Sequence, residues 1–346
     1  MQAEPFGRTR AGEAVTVHTL ARGAVRVQIL DYGGIVRRIE VPGRDGRRAN
    51  IVLGARDLAG YEASDAHFGA LIGRFANRIA EGRFSLDGRN HRLPVNEGRN
   101  TMHGGPEGFD RRVWRVERAE AHRLTLAYRS PDGEQDFPGN LDVTVTYSLH
   151  ADDTLAVDYT ATTDRATILN LTNHSYFNLA GEGAGSVLGH SVSIAADSIL
   201  ETDAEQIPTG TILSVSETPF DFRKPTPLGA RIREAHPQLA LAHGYDHTYV
   251  VGGDGTLRTV AEAVDPSSGR RLCVATTQPG LQLYTANMLD GTVTGTGGGL
   301  YRAGDGVCFE AQGFPDAPNH PNFPSTVLRP DETFRASTTY RFTVDP

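Results

Sequence analysis

Leu141-Asp142-Val143-Thr144-Val145-Thr146-Tyr147-Ser148-Leu149 sets five apolar residues against four polar ones in strict alternation. Successive side chains of a strand point to opposite faces, so this run predicts a strand with one face in a core and the other in water. Leu155, Val157 and Tyr159 resume the pattern beyond Asp152-Asp153. So short a connection predicts an antiparallel hairpin. Working outward, comparable runs fall at 25–29, 35–41, 124–128, 187–194, 247–251, 257–264, 272–277, 281–285, 307–310 and 340–344. Strands spread over the whole length, with turn residues between them, predict an all-β fold: one large antiparallel β-sandwich over residues 1–346, with a few short helices. Helical spacing is confined to 65–79, where Ala66, Phe68, Leu71, Ile72 and Phe75 recur, and to 228–239, which follows Pro225 and Pro227. The glycine-rich run 291–299 reads as a flexible loop. Neither it nor 181–185 opens a helix as a phosphate loop should.

Composition narrows the function. The chain of 346 residues is 38% apolar and 22% charged, with 39 Gly and 19 Pro, which suits strands joined by tight turns. A net charge of −8 without a basic block argues against a nucleic-acid partner and favours a small neutral ligand such as a sugar. Residues 1–20 carry Glu4 and Glu13 and no apolar core, unlike a secretory signal. No apolar run is long enough to span a membrane, and a cytoplasmic location is expected. Cys273 and Cys308 both lie in apolar strand-like runs and read as reduced, buried thiols. With no CxxC pattern, neither a metal nor a redox site is expected. Composition leaves monomer and homodimer equally open.

The densest polar stretch is Asn170-Leu171-Thr172-Asn173-His174-Ser175-Tyr176-Phe177-Asn178. Buried polar groups need partners, so it reads as the floor of a polar pocket. An imidazole ordinarily titrates near neutrality, so His174 suits proton transfer, although a structural histidine bonded to its Asn neighbours fits the local sequence as well. Gly73-Arg74-Phe75-Ala76-Asn77-Arg78-Ile79 places an amide beside a guanidinium, a pair able to grip neighbouring hydroxyls; a salt-bridged loop arginine is the alternative. His103 precedes Gly104-Gly105, where backbone can come close to a ligand. His243-Gly244-Tyr245-Asp246-His247 has metal-ligand residue types but not metal-ligand spacing, leaving Asp246 as a hydroxyl acceptor or a turn former. Gln282 and Tyr284 share one strand face. Glu310 ends an apolar strand, where a carboxylate is costly unless paired or functional, and is the candidate base.

Taken together, 73–79, 100–105, 172–181, 245–247, 279–287, 309–315 and 323–330 resemble the galactose mutarotase (aldose 1-epimerase) family, in the family's order and over nearly the whole chain. The one departure noticed, Asp331 after Pro330 where Gly is the family's residue, lies away from the proposed site. The resemblance implies two large antiparallel sheets and a sugar-binding face. It implies Glu310 as general base and His174 as general acid; for that chemistry the two side chains are expected to face one pocket about a sugar ring apart. Asn77, Arg78, His103, Tyr176, Asp246 and Gln282 become sugar contacts, and no cofactor is implied. A phosphosugar epimerase and a non-catalytic carbohydrate-binding domain are the rival readings.

Overall fold

The computed structural model describes residues 2–345. Its largest sheet has nine antiparallel strands, in the order Arg115–Glu120, Arg123–Ser130, Leu141–Leu149, Thr154–Thr163, Phe334–Val344, Arg270–Thr276, Arg258–Val264, Ser191–Ile194 and Thr226–Pro227. The expected hairpin is present, with Leu141 opposite Thr163 and Leu149 opposite Leu155. A six-stranded sheet runs Tyr176–Phe177, Val307–Gln312, Gly280–Tyr284, Asp246–Val250, Ser198–Thr202 and Pro208–Ser214. A five-stranded sheet takes the N-terminal residues Gln2 to Asn50 in sequence order. Its first strand, Gln2–Arg8, is largely exposed, and so it carried no hydrophobic periodicity to read.

One continuous core joins the sheets. Leu126, Val145, Val157 and Tyr340 of the larger sheet meet Leu281, Leu283, Val307 and Phe309 of the smaller one. Those odd-numbered residues of the Gly280–Tyr284 and Val307–Gln312 strands point inward. Gln282, Tyr284, Cys308 and Glu310 therefore share the opposite face. That face is buried as well, beneath the loops that carry residues 65–105 and 174.

The helix expected over 65–79 is absent. The α-helices among the described residues are Leu58–Ala63 and Pro237–Ala242, and no helix is long and apolar enough to cross a membrane. Segment 65–79 instead threads between layers and makes two-residue strands at Leu71–Ile72 and Arg78–Ile79. Its amides bond to distant carbonyls: Gly69 N–H donates to His174 O, Leu71 N–H to Gly33 O and Ala76 N–H to Asn170 O. Apolar side chains needed on several sides of one strand-like segment mimicked helical spacing. Gly73 is required there, since a Cβ would lie 2.3 Å from the Phe109 ring. Segment 228–239 holds a single 3-10 turn, Leu228–Ala230, and only the start of the second helix, capped by His236. The expected loop at 291–299 is a hairpin, Asp290–Thr294 with Leu300–Arg302. The strand expected over 187–194 begins with a 3-10 turn and pairs only from Ser191.

Candidate active site

Cross-strand pairing on the loop-covered face of the six-stranded sheet sets two rows of side chains. Cys308 lies between Tyr176 and Tyr284, and Tyr284 lies opposite Asp246. In the next row Glu310 lies opposite Gln282, which lies opposite Thr248. A cavity of about 680 Å³, within the usual range for small-molecule sites, opens over these rows. Glu310, His174, Tyr176, Asp246, Asn77, Arg78 and His103 all line it.

His174 reaches the cavity from the loop above. Its backbone is clamped on both sides, N–H to Ala70 O and carbonyl to Gly69 N–H, each at 2.9 Å. Its Nε2 stands 3.6 Å from Glu310 Oε1 and its Nδ1 3.6 Å from Cys308 Sγ, with the Tyr176 ring stacked at 4.9 Å. The second carboxylate oxygen, Glu310 Oε2, is buried without a hydrogen-bond partner among the described residues. An acceptor held dry and unpaired is costly unless a ligand completes it.

The expected separation of a sugar ring between Glu310 and His174 is thus wrong: the two are nearly in contact. A hemiacetal carries both its hydroxyl and its ring oxygen on one carbon. Acid and base need only flank that carbon.

Burial raises the Glu310 carboxyl well above its ordinary value, with Asp246 adding to the rise and Arg78 opposing it. Burial likewise drives His174 down to about 3, with His67 adding to the fall. Both shifts favour the neutral forms, so a single proton shared by the pair is favoured on the carboxyl.

The remaining polar groups form a chain. Thr248 Oγ1 donates to Gln282 Oε1, Gln282 Nε2 donates to Asp246 Oδ1 at 2.6 Å, and Asp246 Oδ2 lies 3.9 Å from Arg78 Nη1. Arg78 forks onto Glu97 at 2.7 and 2.8 Å. Gln282, expected to touch sugar, is set beneath Asp246 with its amide oxygen and nitrogen both engaged, and it does not line the cavity. Asn77 and His103 hold each other: His103 N–H donates to Asn77 O, and Asn77 N–H donates to His103 Nδ1, both at 3.1 Å.

That last bond bears on metal binding. Donor atoms of His103, His174 and Glu310 lie within 4.8 Å of one another, and their types suit zinc. With Nδ1 accepting, however, the neutral His103 ring carries its proton on Nε2 and offers the cavity a donor instead of a lone pair. A hydroxyl fits this trio better than a cation. His247, from the motif with metal-ligand residue types, packs on Phe220 at 4.6 Å on the other face of its strand.

Two sequence readings need correction. Most of the polar stretch at 170–178 staples backbone and does not floor the pocket: Asn170 bonds Ala76 O and both backbone groups of Gly313, Asn173 bonds Gly69 O, and Asn178 bonds Gly185 O and Asp305 O. Only His174 and Tyr176 of that stretch line the cavity. Gly104, read as leaving room for a ligand, leaves room for Gly73, whose carbonyl oxygen would lie 2.0 Å from a Cβ there. Glu97 and His67 also line the cavity and were not singled out; His67 was hidden inside the misread helix.

Comparison with known proteins identifies the family. The family model described as aldose 1-epimerase matches residues 16–341. The chain is 44% identical over 320 residues to the galactose mutarotase of Bos taurus, covering 92% of each chain. It is 37% identical over 335 residues to the aldose 1-epimerase of Escherichia coli, covering 96% of each. Among solved structures, galactose 1-epimerase from Lactobacillus acidophilus superposes with a TM-score of 0.88 at 29% identity, covering all of this chain and 99% of that one. An aldose epimerase homologue from C. elegans gives 0.89 at 29% identity, over 96% of this chain and all of that one. On a match that spans both principal sheets and every residue of the cavity described above, the chain belongs to the aldose 1-epimerase family.

Proposed function

We propose that the protein interconverts the α and β anomers of free aldohexoses such as galactose and glucose, with Glu310 as general base and His174 as general acid. The observation that carries this is the 3.6 Å approach of His174 Nε2 to Glu310 Oε1 on a buried wall of the cavity, with Glu310 Oε2 left unpaired. Glu310 takes the proton of the anomeric hydroxyl while His174 gives one to the ring oxygen. The bond from C1 to the ring oxygen breaks and C1 becomes an aldehyde. Rotation about C1–C2 and reclosure return both protons. Asp246, Arg78, Asn77, His103 and Tyr176 hold the remaining hydroxyls, and Gln282 holds Asp246.

The shifted equilibria support this division of labour. The pair reacts as carboxylate and imidazolium, reached when the proton favoured on Glu310 moves to His174, and is neutral again once the ring has opened. A dry pocket that favours neutral forms therefore drives proton transfer onto the sugar. Each positioned group contributes roughly 10²- to 10⁴-fold, with no metal or nucleotide called for. A phosphosugar substrate is less well served. The cavity's Arg78 is paired with Glu97, and Arg111 is paired with Asp65 at 2.6 Å.

Freshly dissolved α-galactose followed by optical rotation tests the reading, and a decay no faster than buffer refutes it. The pH profile should be bell-shaped. Activity requires one proton on the pair; it is lost on the acid side as His174, held near 3, gains a second, and on the alkaline side as the raised Glu310 gives up the last.

A further inference from the structure

The cavity contains a third imidazole with no part in the proton transfers above. His67 lines the cavity beside His103 and His174, its ring centre 4.8 Å from the first and 6.0 Å from the second. Its Nδ1 lies 3.0 Å from Asp110 Oδ2, a carboxylate that is itself buried. That contact fixes the ring and turns Nδ1–H toward the carboxylate as donor, so the neutral ring presents the Nε2 lone pair to the cavity. The loop that bears it is bolted to the acid: Gly69 and Ala70 clamp the His174 backbone, and Asn173 Nδ2 donates to Gly69 O at 2.8 Å. His67 also holds a left-handed backbone conformation, φ 51°, as do its cavity neighbours His103 at 51° and Asn77 at 64°. Non-glycine residues adopt that region at a cost, and three of them converge on one pocket.

We propose that His67, oriented by Asp110, is a substrate-contacting residue that accepts a hydrogen bond from one sugar hydroxyl away from the anomeric carbon, and so helps set which aldose is preferred. The proposal rests on the aldose reading above. Its chemistry complements the groups nearby. Arg78 and His103 Nε2 are donors, and each sugar hydroxyl they bind still has its own proton to place. Asp246 and His67 are acceptors that can take such protons. Glu310, committed to the anomeric hydroxyl, is not free to do so.

The test compares wild type with His67→Ala on galactose and on its 2-, 3-, 4- and 6-deoxy analogues, reading KM and kcat for anomer exchange. His67→Ala should raise the KM for galactose about 3- to 10-fold, the range for one neutral hydrogen bond, with kcat within about twofold. For one deoxy sugar, the one lacking the hydroxyl that His67 contacts, wild type and variant should share the same KM. An equal KM ratio across all the sugars, no change in KM, or a fall in kcat overturns the proposal. His67→Asn and Asp110→Asn carry the same comparison if the alanine variant melts early, and Asp110→Asn should show part of the effect. If the wild type accelerates no aldose, the aldose reading has failed. Calorimetric binding of the same five sugars then decides the contact separately, and absence of a hydroxyl-specific loss ends it.

Discussion

The two principal sheets bury their strands differently. In the nine-stranded sheet Leu141–Leu149 is buried mainly at alternate positions, apolar inside and Asp142, Thr144 and Ser148 outside. In the six-stranded sheet Gly280–Tyr284 and Val307–Gln312 are buried at every position, although they carry Gln282, Glu310 and Gln312. One sheet spends its polar residues on water; the other keeps them dry, and of the three only Glu310 lines the cavity. A polar side chain on a doubly covered strand costs several kcal/mol unless something pairs it, and of the three only Gln312 has neither side-chain polar atom paired among the described residues. Gln282 has Thr248 and Asp246. Glu310 keeps one oxygen, Oε2, unpaired among the described residues.

The largest expected effect separates the two sheets most cleanly. Glu310→Gln keeps shape and removes the base, so kcat should fall roughly 10²- to 10⁴-fold while KM moves little. The melting temperature should hold or rise, because a carboxyl whose ionisation is suppressed by burial is replaced by a neutral amide. Wild-type exchange by the Gln variant would remove Glu310 from the mechanism. The opposite pattern belongs to the other sheet. Leu126→Ala, at a fully buried core position, should cost about 2–5 kcal/mol in denaturant unfolding and leave kcat unchanged where the protein is folded. A kcat that fell with stability would mean that core packing and catalysis are not separable in this fold.

An intermediate case sharpens the boundary. Gln282→Leu removes an amide that touches Asp246 and not the cavity. The expected result is a KM raised about 3- to 10-fold, with kcat nearly constant, because Asp246 loses one of the bonds that aim it. A kcat loss as deep as that of Glu310→Gln would instead put Gln282 among the reacting groups.

How far the sequence reached follows the same division. Strict alternation made the nine-stranded sheet readable from residues 141–149 outward, since solvent on one face writes the period directly. Glu310 was legible for the opposite reason: a carboxylate in an apolar strand stood out. What escaped was set by tertiary contact. Residues 65–79 face different layers in turn and imitated a helix, which concealed His67. Asn170, Asn173 and Asn178 looked like a binding surface because buried backbone and buried ligand ask for the same amides. The near contact of Glu310 with His174 depends on which loop covers which strand. No spacing along the chain records it.

The smallest effect compares the two faces of a single strand. Asp246 and His247 are neighbours in Asp246–Val250, so one points to the cavity and the other to the core against Phe220. Burial drives His247 down to about 3, as it does His174, with the charge of His236 adding to the fall. The unfolded chain takes up a proton near pH 6.5 that the native His247 refuses until about 3. Its share of stability is therefore complete above pH 6.5 and drains away as pH falls toward 3, at about 1.4 kcal/mol per pH unit. His247→Leu should flatten the acid limb of the stability curve by that slope, read from denaturant midpoints at pH 7, 6, 5 and 4. Mutarotation at neutral pH should change little. An unchanged slope would mean that native His247 protonates readily despite its burial, and that strand alternation does not isolate the core face from the pocket face.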